Sequence, residues 1–226
     1  MAANTWILTL HLIGLFTWVG ALLLLSRMLI FAAKQPADAA TPLVGLMRRL
    51  YMGSCLPGGV LAIVAGLLML HGVGSQLGGP GAALKFYFVP KLENGTPSFW
   101  YVTFHVKMVS AVLLFLCDMY LLRHLGHLAR GSQPKSNWPL ATLMGLIASL
   151  ALLLIVWLPL GALHVSSPRL IGYAVGLPAG IAAFVAGMKI KSARLRYVTL
   201  HICIATLMVQ ALVLIIAKPL SGGVPL

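Results

Sequence analysis

Charged residues are scarce in this chain, and acidic residues are almost absent. Only 8% of the 226 residues are charged, with three Asp and Glu against sixteen Lys and Arg. Long apolar runs recur instead, and about 20 such residues make a helix that crosses a bilayer. Hydrocarbon offers backbone groups no water partner, so these runs must be helical. The composition therefore argues against a soluble fold and predicts an all-α, polytopic membrane helix bundle in contact with lipids.

The features of three other protein classes are also missing. The net charge of +13 would suggest nucleic acid binding in a soluble protein, but the basic residues lie between apolar runs, with no soluble basic domain to bind DNA or RNA. The three cysteines have no CxxC spacing, which favours small buried residues. No basic region precedes the first apolar run, which is long enough to span, so we expect a retained helix and not a cleaved signal peptide.

The apolar runs predict six transmembrane helices in one integral membrane domain, residues 1–226. The second is short and starts at Pro57, because proline suits the first turn of a helix. The fifth is rich in glycine and alanine, which permits close helix packing, with a kink at Pro178. Three helices fall in 1–125 and three in 139–217. Their predicted bounds are Trp6–Leu25, Pro57–His71, Phe104–Leu122, Leu140–Leu163, Leu170–Met188 and Tyr197–Ala217.

The basic residues between these helices indicate an orientation. Eleven Lys and Arg follow the first, third and fifth helices, against four on the other side, so the positive-inside rule places both termini outside. We expect an integral protein of a bacterial inner (cytoplasmic) membrane. The longest outer loop, residues 72–103, contains Asn94 and Gly95, which mark a turn; its aromatics are expected to form an interfacial anchor or a short hairpin.

Two predicted helices carry a histidine at matching depth. His11 and His105 each follow a tryptophan by five residues, which places both about 7–8 Å below the outer aromatic belt. His71 ends the second helix at the same face. Histidines on facing helices can bracket the iron of a b-type haem, so the spacing suggests haem b held by His11 and His105, with His71 as the alternate metal ligand. Hydrogen-bonded packing histidines are the other interpretation of this spacing.

Neighbours of the two histidines fit the same hypothesis. Gly14 and Trp18 share a helix face with His11, where a small residue and a flat aromatic would make room for a porphyrin. Lys107, two residues after His105, is expected to extend towards the headgroups. Its alternatives are to hold a haem propionate, to bind a substrate carboxylate, or to ligate the iron.

Polar residues deeper in the bundle and near its inner face are harder to assign. Asp118 is the only acid inside a predicted helix, and it is expected to relay a proton or to pair with Arg123. A second, inner haem that uses His201 is conceivable. His124 and His127 close the third helix in a basic stretch that we interpret as solvated.

Three segments carry a family resemblance: "LTLHLIGLFTWVGALLLLSRMLIFAA", "MRRLYMGSCLPGGVLAIVAGLLML" and "FHVKMVSAVLLFL". They resemble the HemJ-type protoporphyrinogen IX oxidases, small membrane proteins related to the CopD superfamily. The shared pattern is a histidine and a tryptophan in the first helix, an arginine at its inner end, paired arginines with a tyrosine, and a His-x-Lys that opens the third helix. The tail "LVLIIAKPL" is also similar to that family's last helix.

The resemblance implies an oxidoreductase of porphyrin biosynthesis. It implies a haem b iron held by His11, further contacts from His105 or Lys107, a porphyrinogen substrate, and electron transport through haem to quinone. Arginines that match the family pattern would engage carboxylates, because the guanidinium fork suits propionates. They are Arg27, Arg48 and Arg49, with Tyr51 beside them; a topological role is the alternative for the arginines.

The chain also departs from the family, which keeps other functions open. The family usually has four spans against six here, and Asp118 stands where a further histidine is usual. One alternative is a non-catalytic cytochrome b-like electron-transfer or anchor subunit of a larger respiratory membrane complex. The expected protein partners are the other subunits of such a complex or, in a homo-oligomer, further copies of this chain. Another is a CopD-like copper permease that uses Met28, Met47 and Met52, since thioether sulfur suits Cu(I). The last alternative is a packing subunit that binds no haem.

Overall fold

Helices make up nearly all of the described chain. The computed structural model describes residues 2–76, 79, 92–93, 96–97, 99–130, 132, 136–162 and 168–216. A π-helical turn, Tyr51–Cys55, joins the second α-helix to the third. Two strands of two residues, β1 (Leu92–Glu93) and β2 (Thr96–Pro97), lie between the third and fourth. The α-helices of these ranges are α1 Ala2–Ala32, α2 Ala37–Leu50, α3 Leu56–Gln76, α4 Phe99–Ala129, α5 Trp138–Ala162, α6 Pro168–Met188 and α7 Ala193–Ile216.

The prediction of an all-α bundle with six membrane-spanning helices is confirmed. Six helical stretches of the described chain are long and apolar enough to cross a bilayer: Thr5–Ala32, Thr41–Gly72, Phe104–Ala129, Trp138–Val156, Ile171–Met188 and Ala193–Val213. Large apolar side chains face outward, and Leu67, Ile155 and Ile181 are each more than 60% exposed. Water would penalise such a surface, whereas lipid solvates it. The placement of both termini outside stays a prediction.

The prediction of a short second helix is wrong. Residues 37–76 are helical throughout, because α2, the π turn and α3 follow one another without a break. Arg48 and Arg49, which the predicted bounds placed in a loop, are exposed in the last turn of α2, while Val44 and Met47 of the same helix are buried.

Pro57 lies in the first turn of α3, directly after the π turn. The backbone N–H of Leu56 donates to the carbonyl of Tyr51, five residues earlier, which is the bonding of a π-helix. A proline inside an α-helix clashes with the carbonyl four residues before it, here that of Gly53. A wider turn relieves that clash, so Pro57 gives a physical reason for the π turn at this position.

A short hairpin lies in the loop 72–103, but its two strands contain none of the aromatic residues that were expected to form it. Strands β1 and β2 pair antiparallel, with Leu92 opposite Pro97 and Glu93 opposite Thr96. Asn94 and Gly95 are the two residues between them, as the preference for Asn-Gly in two-residue hairpins predicts. The loop is shorter than predicted, because α3 continues to Gln76 and α4 begins at Phe99. The proposed aromatic anchor lies largely outside the described residues.

The chain divides into two compact units, and several helices contribute to both. The first unit contains Met1–Leu25, Leu46–Val109 and Leu212–Leu226, and the second contains Ser26–Gly45 and Ser110–Ala211. Trp18, Leu22 and Cys55 are buried in the first unit. In the second, the fully buried side chains include Leu29, Leu121, Leu140, Leu200 and Ile204.

Glycines bring α5 and α6 of the second unit into close contact, as expected for the glycine-rich fifth span. A Cβ atom added to Gly145 would lie 3.0 Å from the carbonyl oxygen of Gly180, and one added to Gly176 would lie 2.9 Å from that of Ser149. Next to the start of α5 and the end of α6, the Asn137 side-chain amide donates to the carbonyl of Ile190. Pro178 lies inside the continuous helix α6, and a kink there stays a prediction.

Candidate functional site

Helices α1 and α3 of the first unit approach each other through residues that lack side-chain bulk. A Cβ atom on Gly14 would lie 2.5 Å from the backbone nitrogen of Ala62 and 3.0 Å from the carbonyl oxygen of Gly58. A Cβ atom on Gly58 would lie 2.7 Å from the backbone nitrogen of Trp18. Gly58, Ala62 and Gly66 recur every four residues and so share one face of α3. Only small residues on this face permit so short a distance between the two backbones.

His11 extends from α1 onto this face of α3. Its Nδ1 lies 2.8 Å from the carbonyl oxygen of Ala62. A carbonyl oxygen can only accept a hydrogen bond, so Nδ1 carries the hydrogen and donates it. In the neutral ring the other nitrogen, Nε2, then has the free lone pair. The Ala62 carbonyl therefore selects the tautomer and fixes the ring orientation.

Gly66 makes room for the imidazole ring. A Cβ atom on Gly66 would lie 3.3 Å from Cε1 and 3.4 Å from Nδ1 of His11, closer than side-chain carbons usually come. The ring therefore lies almost directly against the backbone of α3, held by a carbonyl on one turn and accommodated by a glycine on the next. This arrangement requires both the small residue and the acceptor.

A histidine held in this way has the orientation of a metal ligand. Histidines that bind metal ions almost always donate their other ring N–H to a carbonyl, a carboxylate or water, which raises the basicity of the ligating nitrogen. His11 meets that condition through Ala62. The same hydrogen bond also satisfies a polar group inside an apolar bundle, so the contact is compatible with a packing histidine.

Gly14 and Trp18, which were predicted to border a porphyrin, both lie against α3. Trp18 is only 4% exposed, and a Cβ atom on Gly59 would lie 3.3 Å from its indole ring. The close packing of α1 on α3 is sufficient to explain both residues. Porphyrin contact at either position stays a prediction.

The other predicted ligands lie on the same unit. His105 is half-buried near the start of α4, with its ring edge-on to Phe104 at a centroid distance of 6.0 Å. Lys107 is half-buried one half-turn later. His71 is exposed on α3 and lies nine residues beyond Ala62, or about 13 Å along the helix. That separation makes His71 a poor partner for His11, and the pairing of His11 with His105 stays a prediction.

Arg49 lies far from the proposed ligand. It is exposed in the last turn of α2, thirteen residues before Ala62, which corresponds to about 19 Å along the helical stretch. This distance disfavours Arg49 as the partner of a haem propionate on His11. Arg27 and Arg48 are exposed as well, whereas Tyr51 is buried in the π turn. The exposed arginines suit a topological role.

The interpretation of His124 as a solvated residue is wrong. His124 is 1% exposed, with its ring 4.3 Å from that of Tyr120 and its Nδ1 3.4 Å from the hydroxyl of Tyr197 on α7. Helix α4 continues to Ala129, so the position is covered by packed helix. Tyr120, His124 and His127 recur at spacings of four and three residues, which is the sequence signal for a shared helix face.

Two further polar residues of the second unit have defined positions. Nδ1 of His201 lies 2.8 Å from the hydroxyl of Ser26, which is fully buried. Asp118 is 6% exposed. Within the described chain no group of three or more His, Cys, Asp or Glu side chains is arranged to hold a metal ion. The inner haem on His201 and the proton relay at Asp118 stay predictions.

The fold defines the broad class, a polytopic helical membrane protein with a histidine oriented by a neighbouring helix. No protein-family model, curated protein or solved structure matches the chain. The functional argument therefore depends on the residues and their geometry.

Proposed function

We propose that the protein is a haem b-containing membrane oxidoreductase, similar to the HemJ-type protoporphyrinogen IX oxidases, that passes electrons to a quinone. The hydrogen bond from His11 Nδ1 to the Ala62 carbonyl carries this proposal, because it leaves Nε2 as the nitrogen available to iron. Intramembrane histidines are costly and usually serve a function. The proposed location is the inner membrane of a bacterium.

The residues of the first unit fit a haem in distinct roles. His11 supplies a ligand nitrogen, the Ala62 carbonyl fixes its tautomer, and Gly66 gives the ring space. His105 is the proposed second ligand, and the Lys107 ammonium group would attract a propionate or a substrate carboxylate. When bound, the haem would accept electrons from a reduced porphyrinogen and release them to a quinone.

A cytochrome b-like electron-transfer subunit is the second candidate. The same His11 geometry supports it, because haem ligation does not require catalysis at the site. The copper permease is less well supported. Met47 is fully buried whereas Met52 is 52% exposed, so the two thioethers lie in different environments.

The test of haem binding is the absorption spectrum of the purified protein. We expect a red protein whose dithionite-reduced spectrum is that of a b haem with two nitrogen ligands. His11→Ala should lower the haem content at least about tenfold, since it removes a ligand. His164→Ala, at a position outside the described residues, and His71→Ala should both keep the haem.

Equal haem loss in all three variants, or in none, would contradict the assignment of His11. A colourless protein with bound copper would favour the permease. If the protein is red, oxidation of protoporphyrinogen by membranes with added quinone distinguishes the enzyme from an electron-transfer subunit. His105→Ala and Lys107→Ala, compared by the reduced spectrum, identify the second ligand.

A further inference from the structure

Buried polar atoms lie along α4 and α7 of the second unit without the partners that burial demands. Ser110 Oγ, Tyr120 Oη, His124 Nε2 and both amide atoms of Gln210 have no hydrogen-bond partner among the described residues. All four residues are at most 7% exposed. An unsatisfied polar group in an apolar medium costs several kcal/mol, on the order of 2–7 kcal/mol. Five such atoms on two helices therefore indicate a missing partner.

Contacts between α4 and α7 place these residues on one line. His124 on α4 meets Tyr197 on α7. Successive membrane-spanning helices alternate in direction, and α4 and α7 are the third and the sixth, so the two helices are antiparallel. Fourteen residues from this contact, about 21 Å along each helix, Ser110 on α4 is level with the turn of α7 that contains Gln210.

We name the resulting row of residues the polar seam. It extends over about 21 Å from Ser110 to His124, given the rise per residue of a helix. At its His124 end, the ring of His127 lies 6.5 Å away, and His127 Nδ1 is 3.0 Å from the exposed Ser132 hydroxyl. The seam consists of Ser110, Cys117, Tyr120 and His124 on α4 and Tyr197, Cys203 and Gln210 on α7.

We propose that the polar seam holds a file of internal water molecules and conducts protons across the membrane. Buried water typically fills the unsatisfied bonds of polar groups, and here it would bond to Ser110, Tyr120, His124 and Gln210. Imidazole, hydroxyl and amide groups joined by water form a continuous hydrogen-bonded chain, and such chains of polar residues mark proton relays in membranes. The proposal is independent of haem binding, because none of its residues belongs to the first unit.

Proton flux into liposomes tests this proposal directly. The purified full-length protein is reconstituted in vesicles that contain potassium and a pH-sensitive dye, and valinomycin is added in potassium-free buffer. Each potassium ion that leaves makes the lumen more negative and is balanced by one proton that enters. We expect wild-type vesicles to acidify at least about tenfold faster than protein-free vesicles, with Gln210→Leu removing most of the difference.

Matched variants separate the seam from general effects on the fold. Tyr197→Phe removes a hydroxyl from the seam and should lower the flux several-fold, whereas Tyr173→Phe removes one from the exposed face of α6 and should leave it unchanged. If Gln210→Leu is not monodisperse on size exclusion, Ser110→Ala, a smaller change, gives the same comparison. Wild-type flux no faster than protein-free vesicles would overturn the proposal, and so would equal losses in the two tyrosine variants. A His11→Ala protein that lacks haem should still conduct.

Discussion

Replacement of Gly14 by leucine is expected to destabilise the first unit strongly in detergent. The Cβ atom of the new side chain would lie 2.5 Å from the backbone nitrogen of Ala62, a distance that real Cβ atoms do not reach. A backbone atom cannot rotate away as a side chain can, so the helices must separate. Overpacking of a well-packed core costs about 1–3 kcal/mol, and a clash with backbone belongs at or above the upper end of that range.

The same variant affects the candidate site. Separation of α1 from α3 would break the hydrogen bond from His11 to Ala62, which is only 2.8 Å long in the native packing. We therefore expect Gly14→Leu to lower the thermal unfolding temperature and the haem content together. Both are measured on the same purified sample, by differential scanning fluorimetry and by the reduced absorption spectrum.

Gly20→Leu is the matched control for Gly14→Leu. Both glycines are on α1, but a Cβ atom on Gly20 would meet nothing within 4 Å in the described structure. We expect Gly20→Leu to be neutral or slightly stabilising, because leucine favours the helix more than glycine by roughly 0.8 kcal/mol. If the two variants melt alike, the close contact between α1 and α3 is not present in the protein.

Gly180→Leu is expected to have the second large effect, in the second unit. The site of its Cβ atom is occupied by the Ser149 hydroxyl, and the carbonyl oxygen of Gly145 would lie only 2.8 Å away. Helix α5 carries both residues, so the substitution would separate the α5–α6 pair. We expect a loss of more than about 3 kcal/mol, measured as the free energy of unfolding in a denaturant titration in mixed micelles.

Ala182→Leu is the control for Gly180→Leu. Ala182 is exposed on α6, next to Ile181, which is 66% exposed to the lipid side. An added apolar side chain there extends into lipid and meets no helix backbone, so the free energy of unfolding should stay within about 0.5 kcal/mol of wild type. A large loss in Ala182→Leu would mean that this face of α6 is covered in the protein.

The sequence predicted the helices well where hydrophobicity determines them. Six apolar runs gave six membrane-spanning helices, because lipid excludes any other backbone arrangement of such runs. The second helix was predicted too short because Pro57 was interpreted as its start, whereas the helical stretch begins at Ala37. The burial of His124 was missed because its basic neighbours indicated solvent, while the tertiary packing of α7 covers it.

The candidate site was only partly predictable. The depth of His11 below the aromatic belt stays a prediction from its distance to Trp6. The acceptor that orients its ring is a backbone carbonyl, and sequence patterns carry no signal for that pairing. For Gly14 the sequence does carry a signal, but the signal has two interpretations. A glycine near a histidine has the same pattern whether it admits a cofactor or a neighbouring helix, and only the position of α3 distinguishes the two.

The π turn between α2 and α3 has a consequence for how this segment tolerates length changes. Each residue of an α-helix turns the chain by about 100°. The extra residue of a π turn therefore rotates the preceding helix, α2, about its axis relative to α3. Deletion of Gly53, where a Cβ atom would meet nothing within 4 Å in the described structure, would remove the extra residue and place Pro57 in an ordinary helix, where its ring clashes with the carbonyl four residues earlier. The exposed Arg48 and Arg49 side chains would then rotate by about a quarter of a turn around the helix axis relative to α3.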